Sequence, residues 1–303
     1  MNALVIGYGS IGKRHKQVLE NTGLNVSIVS RRSQQDIRCY NSIQEAISNN
    51  AFDYIVIANE TSVHLNSLKE IIQNGFKGKV LVEKPLFSNY EELQEDFNNV
   101  YVAYNLRFHP LIQHLKTLLT DEEVISVNTY VGQYLPTWRP DSDYTKGYSA
   151  FSEQGGGVLR DLSHELDYLM LMFGEWRSLV AVSSKISDLN IESEDYVQIM
   201  YITKNNIQIT VELNYLDRIM QRYLIIQTKN KTIKVDFISN FINCNGEITH
   251  FDPLERNHTY QMQHEDVLND AEICCTFAEG LMVMKMIAAI EKSSQLREWI
   301  YND

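Results

Sequence analysis

The sequence predicts an α/β fold. An N-terminal Rossmann domain is built on a doubly wound parallel sheet, and a C-terminal α+β domain contains a largely antiparallel open sheet. Through the first hundred residues short apolar runs alternate with helical patterns, which is typical of parallel sheets. A glycine-rich segment joins the first run to a helix. Later strand-like runs follow one another with few helices between them. We expect a Rossmann domain at 1–105 and a substrate-binding and oligomerisation domain at 106–303.

The composition argues against several classes of protein. The chain has 303 residues and a formal net charge of −12, whereas nucleic-acid partners need a basic surface. No apolar run approaches the ~20 residues of a membrane helix, and the first residues lead into a strand without a basic signal region. The four cysteines lack metal-ligand spacing. We therefore expect a cytoplasmic protein with reduced thiols and no nucleic-acid, membrane or metal partner.

The glycine-rich segment has the spacing of a dinucleotide-binding turn. Between a strand at 3–6 and a helix at 13–21 lie Gly7, Tyr8, Gly9, Ser10, Ile11 and Gly12. In Gly-x-Gly-x-x-Gly the first glycine makes the tight turn and the second lets the backbone approach a pyrophosphate. The third allows close packing of helix and strand, and the helix N-terminus faces the anion. We predict that these six residues bind a dinucleotide cofactor.

The end of the second strand bears on the choice between NAD and NADP. Residues 25–29 form that strand, and Ser30, Arg31 and Arg32 follow it. An NAD enzyme typically carries Asp or Glu here to bind the ribose hydroxyls, whereas two guanidinium groups can bind a 2′-phosphate. The sequence therefore favours NADP over NAD. The alternative is that the arginines stack on the adenine or face solvent.

A third strand leads into a polar turn. A helix at 42–49, with Ser42 as its cap and Glu45 at the capping-box position, precedes this strand at 52–58. The turn contains Asn59, Thr61 and His64. Because the carboxyl ends of parallel strands line the ligand crevice, we predict that the turn lies against the ribose and nicotinamide.

The next strand, at 79–82, ends in Glu83-Lys84-Pro85. Proline disfavours the helical region for the residue before it, so Lys84 is predicted to be extended at the strand tip. A helix at 90–97 and a strand at 100–104 follow. A Glu-Lys-Pro tripeptide carries no functional meaning alone, and its significance here comes from the segments around it.

The order of these segments resembles the Gfo/Idh/MocA family, which includes glucose-fructose oxidoreductase and inositol dehydrogenase. The matching segments are residues 7–12, 59–64, 83–85, 104–110 and 155–167. The resemblance implies a pyridine-nucleotide dehydrogenase that transfers a hydride between nicotinamide and a sugar, sugar nucleotide or polyol. The last segment resembles a branch found among surface-polysaccharide sugar enzymes.

The resemblance also implies roles for single residues. Lys84 would hydrogen-bond the reacting hydroxyl, His164 would act as general base or acid, and Asp161 would orient His164 or bind an adjacent hydroxyl. Cofactor contacts beyond the glycine turn are expected from Ser30, Arg31, Arg32, Asn59, Thr61, His64, Glu83, Lys84 and Asn105. Substrate contacts are expected from Lys84, Arg107, Asp161 and His164.

One spacing departs from the family pattern. Many members place the aspartate and histidine of the last segment four residues apart, whereas Asp161 and His164 are three apart. We predict one helix at 159–173, on which either spacing puts both side chains on one face. The departure leaves open which group is the base.

A loop at 133–148 is predicted to contact the substrate. Trp138, Tyr144 and Tyr148 can stack on a sugar face, and Arg139 can bind a carboxylate or phosphate. The alternative is a packed loop that anchors the helix after it.

The second domain is predicted to present an open sheet. Its strands are expected at 124–131, 179–186, 196–202, 207–215, 223–228 and 232–237. One apolar face of this sheet must be covered, and the family oligomerises through it, so we expect a homodimer or homotetramer. His250, His258 and His264 lack zinc-ligand spacing and are predicted to be solvated. A final amphipathic helix is expected at 277–290.

Two other functions remain open at this point. One is a nicotinamide-dependent glycosidase or epimerase that returns the hydride within one cycle. The other is a non-catalytic sensor that binds the cofactor. The presence of Glu83-Lys84-Pro85 together with Asp161 and His164 argues against a sensor, which does not need them.

Overall fold

The computed structural model describes residues 1–30, 38–93, 97–138 and 142–302. The chain folds into two compact units. The first comprises Met1–Phe108 and Leu254–Met284, and the second comprises His109–Pro253 and Lys285–Asp303. The sequence suggests one boundary near residue 105, whereas in the structure the later segment 254–284 completes the first unit.

The two units contain one sheet each. In chain order the strands of the described residues are β1 (Asn2–Ile6), β2 (Asn25–Val29), β3 (Cys39–Tyr40), β4 (Tyr54–Ile57), β5 (Lys79–Val82), β6 (Val100–Val102), β7 (Val124–Gly132), β8 (Trp176–Ser184), β9 (Tyr196–Thr203), β10 (Gln208–Asn214), β11 (Gln221–Thr228), β12 (Thr232–Asp236), β13 (Phe241–Cys244), β14 (Glu247–His250), β15 (Cys275–Thr276) and β16 (Ile300–Tyr301).

Helices connect most of the strands of the first sheet, and helices of the second unit pack against the second sheet. The α-helices of the described residues are α1 (Ser10–Asn21), α2 (Ile43–Asn49), α3 (His64–Gln73), α4 (Pro110–Leu118), α5 (Leu135–Trp138), α6 (Val158–Asp161), α7 (His164–Phe173), α8 (His258–Leu268) and α9 (Phe277–Leu296). The division between the two units falls inside α9.

The sheet of the first unit has the strand order β15-β6-β5-β4-β1-β2-β3. Its neighbouring strands are parallel, apart from the antiparallel pair β15 and β6. The direction of strand succession reverses between β1 and β4, and open α/β sheets bind ligands in the crevice beyond the carboxyl ends at such a point. The predicted doubly wound parallel sheet is confirmed.

The central strands of this sheet are buried on both faces. Leu4, Val5, Val56 and Ile57 are fully buried or nearly so. Helices cover both faces of such a sheet, so these strands are continuous apolar runs rather than alternating ones. Each buried aliphatic side chain contributes roughly 1.5–3 kcal/mol of hydrophobic stabilisation.

The start of α2 confirms the predicted cap. Ser42 Oγ accepts a hydrogen bond from the Glu45 backbone N–H (3.1 Å), and the Glu45 carboxylate accepts one from the Asn41 N–H (2.9 Å). These side chains satisfy N–H groups that would otherwise lack a partner at the helix start.

The sheet of the second unit has the order β14-β13-β12-β11-β7-β10-β9-β8-β16. Neighbouring strands are antiparallel except β7 and β10, which are parallel. The largely antiparallel sheet is therefore confirmed. Along β10 the alternating residues Ile209, Val211 and Leu213 are buried, as the sequence pattern indicates.

The predicted helix at 90–97 is not formed in the residues that the structure describes. Residues 90–93 and Phe97 are not helical, and 94–96 lie outside the described residues. Only three of the eight residues at 90–97, Tyr90, Leu93 and Phe97, can make apolar contacts, and a helix this short is marginal unless tertiary packing stabilises it. Phe97 packs edge-on against Phe277, with ring centroids 4.6 Å apart.

The predicted helix at 159–173 is interrupted. It divides into α6 and α7, with Leu162 and Ser163 between them. Asp161 and Glu165 are both buried, and on one continuous helix they would be like charges at i and i+4. The break lets the two carboxylates take different partners. The prediction of one continuous helix with Asp161 and His164 on the same face was therefore wrong, because the two residues lie on different helices.

The prediction that three later histidines are solvated was wrong for one of them. His250 is exposed and His258 half-buried, but His264 is fully buried. His264 lies on α8, whose inward residues Gln263 and His264 are polar. The helix was missed because its buried side has few aliphatic residues.

Within the residues that the structure describes, no helix combines the length and apolar character needed to cross a membrane. The same residues contain no cluster of histidine, cysteine, aspartate or glutamate side chains that could hold a metal ion.

Candidate active site

The glycine turn after β1 requires glycine at two positions. Gly7 has φ +92°, and a Cβ atom there would lie 2.6 Å from Asn59 N and Cα. A Cβ atom on Gly12 would collide with the Gly7 carbonyl oxygen. Gly9 differs, because a Cβ atom there would meet no atom within 4 Å. Packing within the described residues therefore does not explain why position 9 is a glycine.

The turn fits the pyrophosphate of a dinucleotide. The 12-residue α1 begins directly after Gly9, and no described side chain caps its first turn. Its N–H groups can therefore receive an anion, and the helix dipole favours negative charge there. Ser10 is exposed, Ile11 is half-buried and the Tyr8 ring lies 5.5 Å from the Lys13 ammonium, so three of the predicted cofactor residues remain near the surface.

The residues predicted to choose between NAD and NADP are only partly described. The Ser30 N–H donates to the Tyr40 carbonyl (3.1 Å), which places Ser30 between the ends of β2 and β3. Arg31 and Arg32 lie outside the described residues.

The turn after β4 lies directly against the glycine turn. Asn59 Nδ2 donates to Ser67 Oγ (2.8 Å), which fixes the amide plane. Asn59 Oδ1 is buried, yet no donor among the described residues reaches it. Such an acceptor can be satisfied by a ligand. Thr61, also predicted to contact the cofactor, begins the 3₁₀ helix Thr61–Val63 and is half-buried.

His64 joins the β4 turn to the tip of β5. Its Nε2 lies 3.1 Å from the Asn59 carbonyl oxygen, and its Nδ1 lies 3.3 Å and 3.2 Å from those of Pro85 and Leu86. Burial lowers the pKa of His64, although nearby carbonyls and Glu83 oppose this effect. The ring is 1% exposed, so its described contacts tie two backbone segments together.

Glu83 is buried at the end of β5 and has two partners. Its Oε1 lies 2.7 Å from His15 Nε2, and its Oε2 accepts the Lys84 backbone N–H (3.1 Å). Burial raises the pKa of Glu83, but the His15 hydrogen bond and the Lys84 charge outweigh it and hold the pKa below its ordinary value. Lys84 itself is half-buried, and the Lys84–Pro85 peptide bond is cis.

Asn105 and Arg107 contact the segment that returns to the first unit. Asn105 Nδ2 donates to Thr259 Oγ1 (2.8 Å). Arg107 Nη1 donates to Glu279 Oε2 (3.1 Å) and to the Ile273 carbonyl oxygen (3.4 Å), and Arg107 is 3% exposed. These hydrogen bonds connect both side chains, which were predicted to contact cofactor or substrate, to the segment 254–284.

In the second unit Asp161 is held by two hydroxyl groups. Ser149 Oγ and Tyr215 Oη each donate to Asp161 Oδ2 at 2.6 Å. Burial and the adjacent Asp161 raise the pKa of Tyr215 well above its ordinary value, so the phenol remains a donor. His164 is half-buried at the start of α7.

Four residues after Asp161, where many family members have histidine, the chain has Glu165. Arg222 Nε and Nη2 donate to its two carboxylate oxygens at 2.8 Å and 3.0 Å. The Tyr168 hydroxyl donates to the same group (3.3 Å), and Glu165 is fully buried. The charge of this carboxylate is balanced by Arg222, and the buried side chain is not accessible to a ligand.

Glu194 caps the start of α6, within the segment predicted to be catalytic. The Glu194 carboxylate accepts the Leu159 N–H (3.1 Å), and its backbone carbonyl accepts the Val158 N–H (3.1 Å). Burial raises the pKa of Glu194 to about 7. A Cβ atom on Gly157, whose φ is +111°, would collide with this carboxylate. Glycine is therefore required at this position.

The aromatic residues of the loop have different surroundings. Trp138 packs edge-on against Tyr215, with ring centroids 5.3 Å apart, and donates Nε1–H to Gln133 Oε1. The Tyr144 hydroxyl accepts the Asn190 N–H (3.4 Å), whereas Tyr148 is 39% exposed. Arg139 lies outside the described residues. Trp138 therefore contacts Tyr215, whose hydroxyl donates to Asp161.

Several residues around the predicted site were missed from the sequence. In the first unit these are His15 and His264, and in the second they are Ser149, Glu194 and Tyr215. His15 could have been suggested from the sequence, because it lies one helical turn after Gly12 of the glycine turn. The others come from distant parts of the chain, and no motif links them to the site.

Comparison with protein families gives two matches. Residues 1–100 match the model of an oxidoreductase family with an NAD-binding Rossmann fold, GFO_IDH_MocA. Residues 112–233 match the GFO/IDH/MocA C-terminal domain. No curated protein sequence matches the chain significantly.

Solved structures share the fold over nearly the whole chain. The WlbA dehydrogenase from Bordetella pertussis, in complex with NADH and UDP-GlcNAcA, is 18% identical, with a TM-score of 0.84 over 100% of this chain and 98% of that one. Levoglucosan dehydrogenase, in complex with NADH, is 18% identical (TM-score 0.85; 99% and 98%). The myo-inositol 2-dehydrogenase from Lactobacillus plantarum is 16% identical (TM-score 0.79; 100% and 99%). At these identities the likeness establishes the fold.

Proposed function

The chain belongs to the GFO/IDH/MocA family of NAD-binding oxidoreductases, and from this premise we propose a specific reaction. It is reversible hydride transfer between a nicotinamide and the hydroxyl-bearing carbon of a sugar, sugar nucleotide or polyol. The prediction of a nicotinamide-dependent oxidoreductase is thereby confirmed at the level of the family. The substrate class and the residue roles are the new content of the proposal.

The geometry at the carboxyl ends of β4 and β5 carries the proposal. Lys84 is fixed at the strand tip by its N–H bond to Glu83, while His64 holds the next two residues through their carbonyls. A rigid backbone at this point would hold the ammonium group beside the crevice where such a sheet binds its ligand. A solvated loop lysine would not need two buried side chains to fix its neighbours.

The proposed roles follow from the chemistry of each side chain. A bound nicotinamide supplies the hydride acceptor or donor. Lys84 would donate a hydrogen bond to the reacting oxygen, and His164 would take or return its proton because imidazole titrates near neutral pH. Asp161, held by Ser149 and Tyr215, would accept a hydrogen bond from a substrate hydroxyl or orient His164. Trp138 and Tyr148 would pack against the sugar ring.

A sugar nucleotide is the favoured substrate within the proposed class, with a role in surface-polysaccharide biosynthesis. The sequence Asp-Leu-Ser-His-Glu-Leu-Asp at 161–167 supports this choice because it resembles that of surface-polysaccharide sugar enzymes. The WlbA structure, which has the same fold, contains UDP-GlcNAcA. Arg139 would bind the anionic part of such a substrate. The preference for NADP over NAD rests on Arg31 and Arg32 and is part of the proposal.

Cofactor titrations followed by a substrate panel test the proposal. NADH and NADPH fluorescence titrations come first, and we expect at least one to bind with NADPH preferred. The oxidised cofactor is then offered UDP-GlcNAcA, levoglucosan and myo-inositol while reduced nicotinamide is measured. We expect oxidation of a sugar-type substrate, and loss of it in Lys84→Ala and His164→Ala.

The outcomes separate the proposal from its rivals. If neither nucleotide binds, the proposal fails. If product forms without accumulation of reduced nicotinamide, the glycosidase or epimerase that returns the hydride internally replaces it. Cofactor binding with full turnover in both Lys84→Ala and His164→Ala would overturn the catalytic assignment while leaving the family unaffected.

The open sheet of the second unit supports a proposal about assembly. On the face opposite the buried side of β8 and β9, Val182 is 56% exposed and Met200 46% exposed. We propose that a second copy of the chain covers this face in a homodimer or homotetramer. Light scattering at micromolar concentration should give at least the dimer mass, and Met200→Glu should lower it. A monomeric wild-type protein would contradict the proposal.

A cytoplasmic location is part of the same proposal. The four cysteines are thiols in the structure, and disulfides are rare in reducing compartments. Reduction and oxidation of nicotinamide also draw on an intracellular cofactor pool. Detection of the native protein outside the cytoplasm by cell fractionation would contradict this location.

A further inference from the structure

A chain of four buried side chains ends at Glu83. Tyr54 Oη lies 2.9 Å from His264 Nδ1, His264 Nε2 lies 2.8 Å from His15 Nδ1, and His15 Nε2 lies 2.7 Å from Glu83 Oε1. Tyr54, His264 and His15 have no exposed surface, and Glu83 is 8% exposed. The side chains come from β4, α8, α1 and the end of β5, so four separate elements of the first unit meet here.

With His15 neutral, the directions of the hydrogen bonds in the chain follow from its two ends. An ionised carboxylate only accepts, so His15 Nε2 must donate to Glu83. In neutral His15 the other nitrogen then accepts, which makes His264 Nε2 a donor and His264 Nδ1 an acceptor for the Tyr54 hydroxyl. Burial lowers the pKa of His264 and raises that of Tyr54, so both remain neutral. All three donors then point towards Glu83.

Edge-on aromatic contacts restrain the two imidazoles. The His15 and His264 rings are edge-on at 5.0 Å, and the His264 and Tyr54 rings are edge-on at 5.6 Å. The Tyr260 ring also packs edge-on against His15, with ring centroids 5.6 Å apart. The chain ends at buried Tyr54, so it cannot deliver protons to solvent. Its consequence is a fixed orientation of the Glu83 carboxylate.

We propose that His264, supported by Tyr54 and acting through His15 and Glu83, is a positioning residue for Lys84. The Glu83 oxygen that does not face His15 accepts the Lys84 N–H, so the chain reaches the backbone of the reacting lysine. His15 lies on α1, so the same contacts fix the cofactor-binding helix relative to the tip of β5. The inference rests on the proposed function for the role of Lys84, but the hydrogen-bond chain can be tested without it.

The first test observes the Lys84 amide directly. In ¹⁵N-labelled protein the Lys84 amide proton reports the strength of its bond to the Glu83 carboxylate, and Glu83→Gln gives the reference for a weakened acceptor. We expect His264→Phe, which keeps an aromatic ring and removes both nitrogens, to shift this proton towards that reference. His264→Gln, whose amide can donate to His15, should restore much of the wild-type shift. Tyr54→Phe should have a smaller effect in the same direction.

The controls separate positioning from general damage. His258→Phe makes the same substitution on the same helix, at a half-buried histidine outside the chain, and should leave the Lys84 resonance unchanged. If His264→Phe unfolds the unit, Tyr54→Phe, which removes only one oxygen, decides. A folded His264→Phe or Tyr54→Phe variant with the wild-type Lys84 resonance would overturn the inference.

Turnover on any substrate found in the panel gives the second test. We expect His264→Phe to lower kcat by about tenfold, because small displacements of a reacting group are costly, with little change in the Kd for the reduced cofactor. His264→Gln should recover part of the loss. If Lys84→Ala keeps full kcat, the catalytic role proposed for Lys84 fails, and the amide resonance still decides the positioning chain. If Lys84→Ala is inactive and His264→Phe is fully active, the positioning inference alone fails.

Discussion

The hydroxyl of Tyr215 donates to Asp161 across the second unit, over 2.6 Å. Tyr215 follows β10, Asp161 ends α6, and both are buried. The bond therefore ties the predicted catalytic segment to the sheet behind it. Ser149 bonds to the same oxygen, so one carboxylate oxygen has two hydroxyl donors. Asp161 is fixed before any substrate arrives.

Loss of this hydroxyl should be costly, and a neighbouring tyrosine gives the control. We expect Tyr215→Phe to destabilise the protein by about 1.5–3 kcal/mol, because hydrogen bonds to charged groups are worth that much. Tyr201 on β9 is equally buried, but no described residue bonds to its hydroxyl. Tyr201→Phe should therefore leave stability unchanged or raise it. Urea unfolding of both variants checks this, and equal losses would contradict the argument.

The open space at Gly9 predicts a variant that separates folding from cofactor binding. Gly9 has φ −75° and its Cβ position is free, so Gly9→Ala fits the backbone. The added methyl group would occupy the space that a pyrophosphate needs. We expect an unchanged or slightly higher Tm and at least about tenfold weaker NADH or NADPH binding, equivalent to ~1.4 kcal/mol.

A second glycine provides the control for that measurement. Gly147 also has negative φ (−73°), and a Cβ atom there would make only an ordinary contact, 3.5 Å from the Tyr144 carbonyl oxygen. Gly147→Ala should leave both Tm and cofactor affinity unchanged. Wild-type affinity in Gly9→Ala would show that the cofactor does not approach this turn.

Glu194 predicts a specific pH dependence of stability. Its folded-state pKa of about 7 lies above its ordinary value of 4.5 because of burial. Between these values the unfolded chain releases the proton and the folded chain keeps it, so stability falls as pH rises from about 5 to 8. We expect this group to account for about 2–3 kcal/mol of the fall.

Two glutamine variants isolate this contribution. Glu194→Gln should flatten the fall when unfolding free energies are compared at acidic and alkaline ends of the range. Glu192, two residues earlier, is exposed, and Glu192→Gln should retain the wild-type slope. The assignment would be wrong if both variants showed the same pH dependence as the wild type.

Local chemistry made much of the first unit predictable. The glycine turn, the cap at Ser42 and the apolar central strands each follow from residues within a few positions of one another. The same holds for the alternation along β10. In these places the sequence pattern and the tertiary environment agree.

Long-range contacts explain what could not be predicted. The return of 254–284 to the first unit depends on contacts such as Arg107–Glu279, which join residues far apart in the chain. The buried position of His264 depends on Tyr54 and His15 in the same way. The break before His164 reflects the separate partners of Asp161 and Glu165. No local pattern encodes these pairings.

The ion pair between Glu165 and Arg222 gives the largest predicted effect on stability. Glu165 is fully buried and its two oxygens accept from Arg222 in a bidentate arrangement. Arg222→Leu would leave a buried carboxylate without its cation, which costs roughly 3–5 kcal/mol. Replacing both members removes the charge as well as its partner, so the Arg222→Leu, Glu165→Leu double variant should recover most of that loss. Urea unfolding of the wild type, both single variants and the double variant closes the cycle, and additive losses would show that the two side chains act independently.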